Sequence, residues 1–549
     1  MKKMTPRGWE TKRLANFDAR IVEEVTRHHG GQDRLEVAIE AKLQDGRQLA
    51  RVRVTPGQLR HMNFVIEKWG TAAIIEPGIA AKDHLLAAIQ TLSPNPRQRT
   101  IYAHTGWITD SGKSLFLMPS GALGQDGYEV ELAEDLGRYS LPRNIEDAKD
   151  AMKTGLRLLD LAPAVVTVPL FAGVFAAPLA SILEVDFSLW LVGPTGSYKS
   201  TLAALFLSLF GDFGASHLPA NWSSTANSLE LRASALRDLP LVIDDYCPTR
   251  MDARELEAKS GRLLRAQGNR QGRGRLNADL TELPACAPSG VIIVTAEQRP
   301  TAQSILARTL TLEVDKRDVN LTALTDAQAS AGRLKHATAG YLQSLALQMP
   351  GLTASLKQSL LETRRKMMAP GEHSRMAGIR AQLWTSFDGV LTYAQKIGAR
   401  PPRDIEELRK VGEQALEKVT QQHAKLIGSN APLPRFFRVL AALLTARRVF
   451  LADVDCGTRE RMIGWHDREY LYLMPDAAYA AVVGFCREQS DPYPLSLADL
   501  TKQLSRDGLS EADQDRHTAT KWIDGKSRRV LKLRREKVTE LIEETFPFE

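Results

Sequence analysis

The stretch Leu189 to Phe206, LWLVGPTGSYKSTLAALF, constrains the chain more than any other. An apolar strand runs into a glycine-containing turn, then Lys-Ser-Thr, then a helix with an apolar face. Backbone N–H groups of such a turn, together with the helix N-terminus, make a hole for phosphate oxygens. The spacing predicts that Gly193, Pro194, Thr195, Gly196, Ser197, Tyr198, Lys199, Ser200 and Thr201 cradle the phosphates of ATP. Lys199 would reach the β- and γ-oxygens as a point charge, and the Ser200 hydroxyl would hold Mg²⁺. Against the pattern GxxxxGK[ST], Tyr198 stands where glycine is usual.

Some 45 residues further on, LPLVIDD reads as an apolar strand ending in two acids. At that distance Asp244 is expected beside the phosphate loop to orient Mg²⁺, and Asp245 where a carboxylate polarises the attacking water. A later strand, SGVIIVTAE, ends in Thr295 and Glu297. Thr295 is expected to hydrogen-bond the attacking water between the two motifs, the sensor position of AAA+-type ATPases. Five strand-like runs (DFSLWLV, ASHLPA, LPLVIDD, SGVIIVT and RTLTLEV) alternate with helical stretches between about 185 and 315. That alternation predicts a parallel sheet with helices on both faces.

The predicted fold class is therefore α/β, with an AAA+-type P-loop ATPase core over residues 151–318. Before it, residues 1–150 read as a mostly-β domain, from alternating runs such as LEVAIEAKL, RQLARVRV and YEVELA. After it come a helical region, 319–430, and a winged-helix-like region, 431–549. A chain of 549 residues is too long for a single core, which fits this division. The four cysteines are scattered without paired spacing, so neither a disulfide framework nor a zinc ribbon is expected, and a reducing cytoplasm suits them. Leu161 to Leu183 carries no charge and is long enough to span a membrane, but Pro163, Pro169 and Pro178 interrupt it. It is expected to form short buried helices against the ATPase sheet, with no membrane partner.

The net charge of +7 is mild for this length, so only its clustering informs. Lys259, Arg262, Arg265, Arg270, Arg273 and Arg275 fall in one stretch without an acid, its second half loosened by Gly268, Gly272 and Gly274. Arginines there would grip nucleic-acid phosphates without regard to sequence. Alternatively, Arg270, Arg273 or Arg275 would reach a neighbouring subunit's nucleotide. Arg299 and Arg308 are the candidates for an arginine finger, and Arg308→Ala is expected to abolish hydrolysis while sparing ATP binding. Near the C-terminus, nine Lys/Arg stand against Asp524 and Glu536 between Arg516 and Lys537. A helix from Ser496, a turn, a helix to Trp522 and strands around SRRVLKLR predict a winged-helix layout. Its DNA contacts would include Lys521, Arg528, Arg529, Lys532 and Arg534.

Taken in order, GPTGSYKSTLAAL, ANWSSTANSLE, LVIDDY, RAQGNRQGRGR, SGVIIVTAE and QSILARTLTLEV resemble one family of helicase-like ATPases. Its members are carried by phages, integrative elements and cassette chromosomes, and are often known only as a domain of unknown function. Upstream, IYAHTGWITDSGKSLFLMPSGALG resembles the small β module with an HTGW signature that precedes the ATPase there. An aromatic residue before the phosphate-loop lysine is familiar in that family. The resemblance covers roughly residues 95–320. It implies a homo-oligomeric ring, expected to be a hexamer, similar to superfamily-three and minichromosome-maintenance helicases and the staphylococcal cassette replicative helicases. Such a bacterial or phage-encoded ATP hydrolase would act on single-stranded or forked DNA during replication of a mobile element. Two other readings share these residues. One is a DNA-binding ATPase without unwinding, such as an initiator, loader or defence switch; the other is a nucleotide-gated transcription regulator.

Overall fold

The computed structural model describes residues 2–5, 8–29, 32–249, 252–270, 275–276, 282–283, 287–368, 374–454, 460–489, 493–513, 516–523, 525–542 and 546–547. Alternating apolar residues set the first sheet. Strands Phe17–His29, Gln32–Leu43 and Gln48–Val54 pair antiparallel, and Arg97–Tyr102 and Glu129–Val130 extend the other edge. Ala15, Phe17, Ile39, Phe64, Trp69 and Ile89 share the core on one face. Within this predicted β region, residues 56–91 instead contribute three α-helices, Pro56–His61, Phe64–Trp69 and Ala81–Thr91. The local cause of the first is a capping box between Thr55 and Gln58, followed by proline at the first turn.

The HTGW module is a three-stranded antiparallel sheet, Gly106–Asp110, Lys113–Met118 and Gly121–Ala122. Its signature residues dock it onto the segment just before a strand of the central sheet. The Thr105 hydroxyl donates to Arg237 O at 2.8 Å, the Trp107 N–H to Asp238 Oδ2 at 3.2 Å, and Trp107 Nε1 to Pro178 O at 2.7 Å. Gly106 lies at φ +94°, and a Cβ there would meet Arg237 O at 2.7 Å, so the close approach requires glycine.

The central sheet holds β1 (Ser188–Val192), β2 (Ala220–Asn221), β3 (Pro240–Tyr246), β4 (Val291–Ala296) and β5 (Thr309–Glu313) in the order β2-β3-β4-β1-β5. Every pairing is parallel. Leu189, Trp190, Val242, Ile243, Ile293 and Val294 are fully buried, as expected for strands covered on both faces. ASHLPA does not form the strand read from it, and only Ala220–Asn221 pairs with β3. A proline just before leaves little length for a ladder. Helix α1 (Ala164–Ala176) packs on the sheet, with Gly173 against Leu189. The segment Ala164–Leu183 is long and apolar enough to cross a membrane by length and composition, and 89% of its apolar window is buried inside the fold. Helix α2 (Lys199–Leu207) follows β1, and α3 (Ala253–Gly268) follows β3. Beyond β5 the chain is helical through Leu321–Ala329, Ala331–Met367, Ser374–Lys396 and Pro402–Ser429.

Two compact units divide the chain, Met1–Thr420 and Gln421–Glu549. In the second, α4 (Pro432–Thr445), α5 (Pro475–Glu488) and α6 (Leu497–Arg506) pack against a sheet containing β6 (Tyr470–Leu473), β7 (Ala519–Ile523) and β8 (Lys526–Arg534). β8 runs antiparallel to both β6 and β7. Ser496 caps α6, where a helix start was read. The second helix, predicted to run to Trp522, is corrected: residues 519–523 are strand β7. Each residue from Ala519 to Ile523 pairs antiparallel with one of β8, from Val530 to Lys526, which a helix cannot do.

Candidate nucleotide site and basic surfaces

The C-terminal ends of β1, β3 and β4 bring the predicted polar residues together, because adjacent parallel strands end at the same edge. The β1–α2 turn approaches the chain leaving β5 closely: a Cβ on Gly193 would lie 2.1 Å from Val314 O. Tyr198 caps α2 with φ +62°, the left-handed conformation that glycine adopts freely. The backbone therefore has the turn that the pattern's glycine would make.

Lys199 Nζ donates to Gly193 O and Pro194 O, both at 2.8 Å. Burial lowers its pKa, opposed by the nearby charges of Glu297, Asp244 and Asp245. Ser200 Oγ donates to Asp244 Oδ1 at 2.8 Å, and the Thr295 hydroxyl donates to the same oxygen. Thr295 Oγ1 in turn accepts from the Asp245 N–H at 3.1 Å. The β3–β4 register shifts between Ile243 and Tyr246, and Asp245 lies at φ +64°. This bulge re-aims residues at the strand end, and aspartate tolerates the left-handed region better than most residues. Ser200 and Asp244 fit Mg²⁺: a hydroxyl and one carboxylate are the sparse protein share that this ion takes, with water and phosphate supplying the rest.

Glu297 was read only as the end of a strand, yet it joins the network. The Thr195 hydroxyl donates to its Oε1 at 2.6 Å, and the Cys247 thiol to its Oε2 at 3.0 Å. The available signal was its period-two spacing from Thr295, which puts both on one side of β4.

The arginines divide between two edges. Arg299 pairs with Glu313, which lies opposite Val192 at the phosphate-loop edge. Arg308 is at the other edge, its carbonyl accepting from the Ser188 N–H at 2.9 Å. A five-residue strand separates these edges by roughly 15 Å. Arg308 donates to Ser304 O at 2.9 Å and Asn269 Oδ1 at 3.1 Å, while its Nε has no hydrogen-bond partner among the described residues. Burial and then Arg375 lower its pKa, against Asp186. Gln267, at the end of α3, donates to Phe187 O and Gly290 O, which fixes that helix end at the same edge. Arg270, beside a cleft of about 580 Å³ lined also by Glu184, Asp186, Arg364 and Arg375, lies 3.8 Å from Glu184. Arg265, on the last turn of α3, is exposed.

Two members of the predicted basic stretch serve the fold instead. Lys259 is buried and donates to Trp222 O and Ser224 O, and Arg262 pairs with Glu230. Arg273 lies outside the described residues, as does the side chain of Arg275.

In the second unit, Lys532 and Arg534 both pair with Glu511 and lie over the Tyr470 ring. Their contact, Lys532 first, holds the Glu511 pKa down at about 2. Lys521 sits over Tyr472 at 4.8 Å and Arg528 over Trp465 at 5.3 Å. Arg529 Nε donates to Thr518 Oγ1 at 2.8 Å.

The fold thus belongs to the mixed α/β class, with a parallel sheet carrying a lysine loop and acid pair at one edge. Residues 70–281 match the protein family described as "Domain of unknown function (DUF927)". No curated protein matches the chain. Among solved structures, one described as "SCCmec type IV Cch - active helicase" is similar in fold. Its TM-score is 0.60 at 14% identity, and the match covers 99% of this chain and 98% of that one. A second, "The A form apo structure of NrS-1 C terminal region-CTR", aligns over 90% of this chain and 94% of that one, at 11% identity and a TM-score of 0.30. The motif resemblance and the family match thus coincide over most of the nucleotide site.

Proposed function

We propose that this chain is an AAA+-type P-loop ATPase that couples ATP hydrolysis to movement along DNA, as a helicase or translocase of a mobile element or phage. The observation that carries the reading is the junction of Lys199, Ser200, Asp244 and Thr295 at adjacent strand ends. The β1–α2 turn and Lys199 bind the triphosphate, Ser200 and Asp244 hold Mg²⁺, and Asp245 orients the attacking water and takes its proton. Thr295, bonded to Asp244 and to the Asp245 backbone, fixes the distance between metal-holding and water-activating groups. Mg²⁺, when bound, neutralises charge developing on the phosphates. Arg308, too far from its own subunit's phosphate loop, completes the site of a neighbouring copy, which favours a homo-oligomeric ring and, on the family resemblance, a hexamer.

DNA as the substrate is supported by Arg265 and Arg270 and by the basic hairpin of the second unit. The order α4, β6, α5, α6, β7, β8 supports a winged-helix-like unit in which α5–α6 are the helix pair and β7–β8 the wing. The similar helicase structure adds weight to an unwinding activity. The test is ATP turnover and forked-duplex unwinding by the full chain. Wild type is expected to do both, and Lys199→Ala neither, with turnover down at least roughly 100-fold. DNA-stimulated turnover without strand separation would replace unwinding with a loading or switching role.

A further inference from the structure

One exposed ring on β7 is unused by the nucleotide site. Trp522 is 70% exposed, the most exposed aromatic ring among the described residues, whereas Trp465 of the same unit is fully buried. The hairpin pairs Trp522 with Ser527, whose small side chain leaves the indole face uncovered, and pairs Thr520 with Arg529 on the same face. Arg529 is thus a diagonal neighbour of the ring, within reach of a long side chain. On the opposite face Lys521 stands across from Arg528, where the Tyr472 and Trp465 rings underlie the two cations and Asp467 lies near Lys521. Residues 521–529 carry Lys521, Lys526, Arg528 and Arg529 against Asp524 alone. Further along β8 the cations are already matched, since Lys532 and Arg534 share Glu511. Of the hairpin's cations, Arg529 shares the face of the exposed indole.

We propose that the β7–β8 hairpin binds single-stranded DNA, with Trp522 stacking on an unpaired base and Arg529, on the same face, taking a flanking phosphate. An exposed aromatic face among backbone-tracking cations is the recognition mode of unpaired strands, because every base offers a π-face. A duplex buries those faces and offers this ring nothing beyond its terminal pair. The inference rests on the proposal that the chain acts on DNA, and adds which strand form the second unit takes and through which residue.

The test uses the full chain without nucleotide, titrated with a thymidine oligomer of about 20 residues and with a duplex of equal length. Tryptophan fluorescence should be quenched by the single strand and much less by the duplex, and Trp522→Phe should remove most of that quenching. Trp522→Ala should weaken single-strand binding roughly 10-fold, with Trp522→Phe retaining most of the affinity. DNA-free ATP turnover should stay unchanged in both variants. Equal affinity for wild type and Trp522→Ala would overturn the stacking role while leaving the DNA reading intact. So would quenching that persists in Trp522→Phe, or that the duplex matches. Failure of the wild type to bind either DNA would overturn both.

Discussion

The two edges of the central sheet carry opposite kinds of chemistry. At the C-terminal edge, cation and anions are balanced within the chain. Lys199 lies among Glu297, Asp244 and Asp245, and the hydroxyls of Ser200, Thr295 and Thr195 each have a carboxylate partner. At the N-terminal edge, Arg265, Arg270, Arg308, Arg364 and Arg375 gather near Glu184 and Asp186. Like charges pressed together cost free energy. On the proposed function, one edge would receive a phosphate chain and its metal. The other has an excess of cation that an anion from outside the subunit would offset. In the proposed ring, phosphates held at one copy's C-terminal edge would be such an anion for the next copy's N-terminal edge.

The largest expected effect separates the edges directly. Arg308→Ala should lower ATP turnover by about 1,000-fold while leaving nucleotide affinity within a few-fold, as expected for a group that stabilises transition-state charge. Lys199→Ala should lose both. Mixing the two inactive variants should restore turnover well above either alone, because an interface with Lys199 from one subunit and Arg308 from another is intact. If the mixture stays inactive although the subunits associate, the edges do not meet across copies. Arg308 would then be a structural residue of its own subunit.

The second effect concerns the N-terminal side of β3, where Asp238 is fully buried between the HTGW module and the segment after α1. Its oxygens accept from the Trp107 and Ser181 N–H groups, and burial raises its pKa to about 6, against Arg237. A carboxyl raised on folding binds its proton more tightly in the native state. Its contribution is therefore complete at and below the unfolded carboxylate pKa and is lost as pH rises through about 6. The shift corresponds to about 3 kcal/mol between pH 4 and 6. Thermal unfolding of the full chain across that range, with Asp238→Asn for comparison, should show the wild type losing stability with pH relative to the variant. Parallel curves would mean that Asp238 keeps an ordinary pKa, and that the module's docking is independent of pH.

Much of the phosphate-loop edge was legible because its strands are buried on both faces, which writes each as a short apolar run ending at a polar cluster. Lys199, Ser200, Asp244 and Thr295 stand where those runs end, so reading the runs located the residues. The bulge at Asp245 was not legible, since a single left-handed aspartate leaves no mark beyond the residue type. Asp238 was overlooked for a related reason: an isolated acid in a turn looks solvated until Trp107, some 130 positions away, covers it. In the second unit ATKWI is too short for its period to separate helix from strand, and pairing with β8 decides it. The consequence was to count a helix where the structure has strand β7.

The smallest effect tests whether Tyr198 is only a turn residue. Holding a non-glycine residue at φ +62° costs about 1–2 kcal/mol. Tyr198→Gly releases that strain but returns roughly 0.5–1 kcal/mol of backbone entropy to the unfolded chain, and gives up the packing of a half-buried ring. The terms nearly cancel, so the unfolding midpoint should move little, by the equivalent of about 1 kcal/mol or less. Tyr198→Val, β-branched and ill-suited to positive φ, should destabilise by more than the glycine variant does and weaken ATP binding by distorting the turn. The informative quantity is the nucleotide affinity of Tyr198→Gly. Unchanged affinity would mean that the backbone alone does the work at this position. A loss of tenfold or more, with stability intact, would show that the ring itself touches the nucleotide, giving the C-terminal edge an aromatic contact in addition to its charge network.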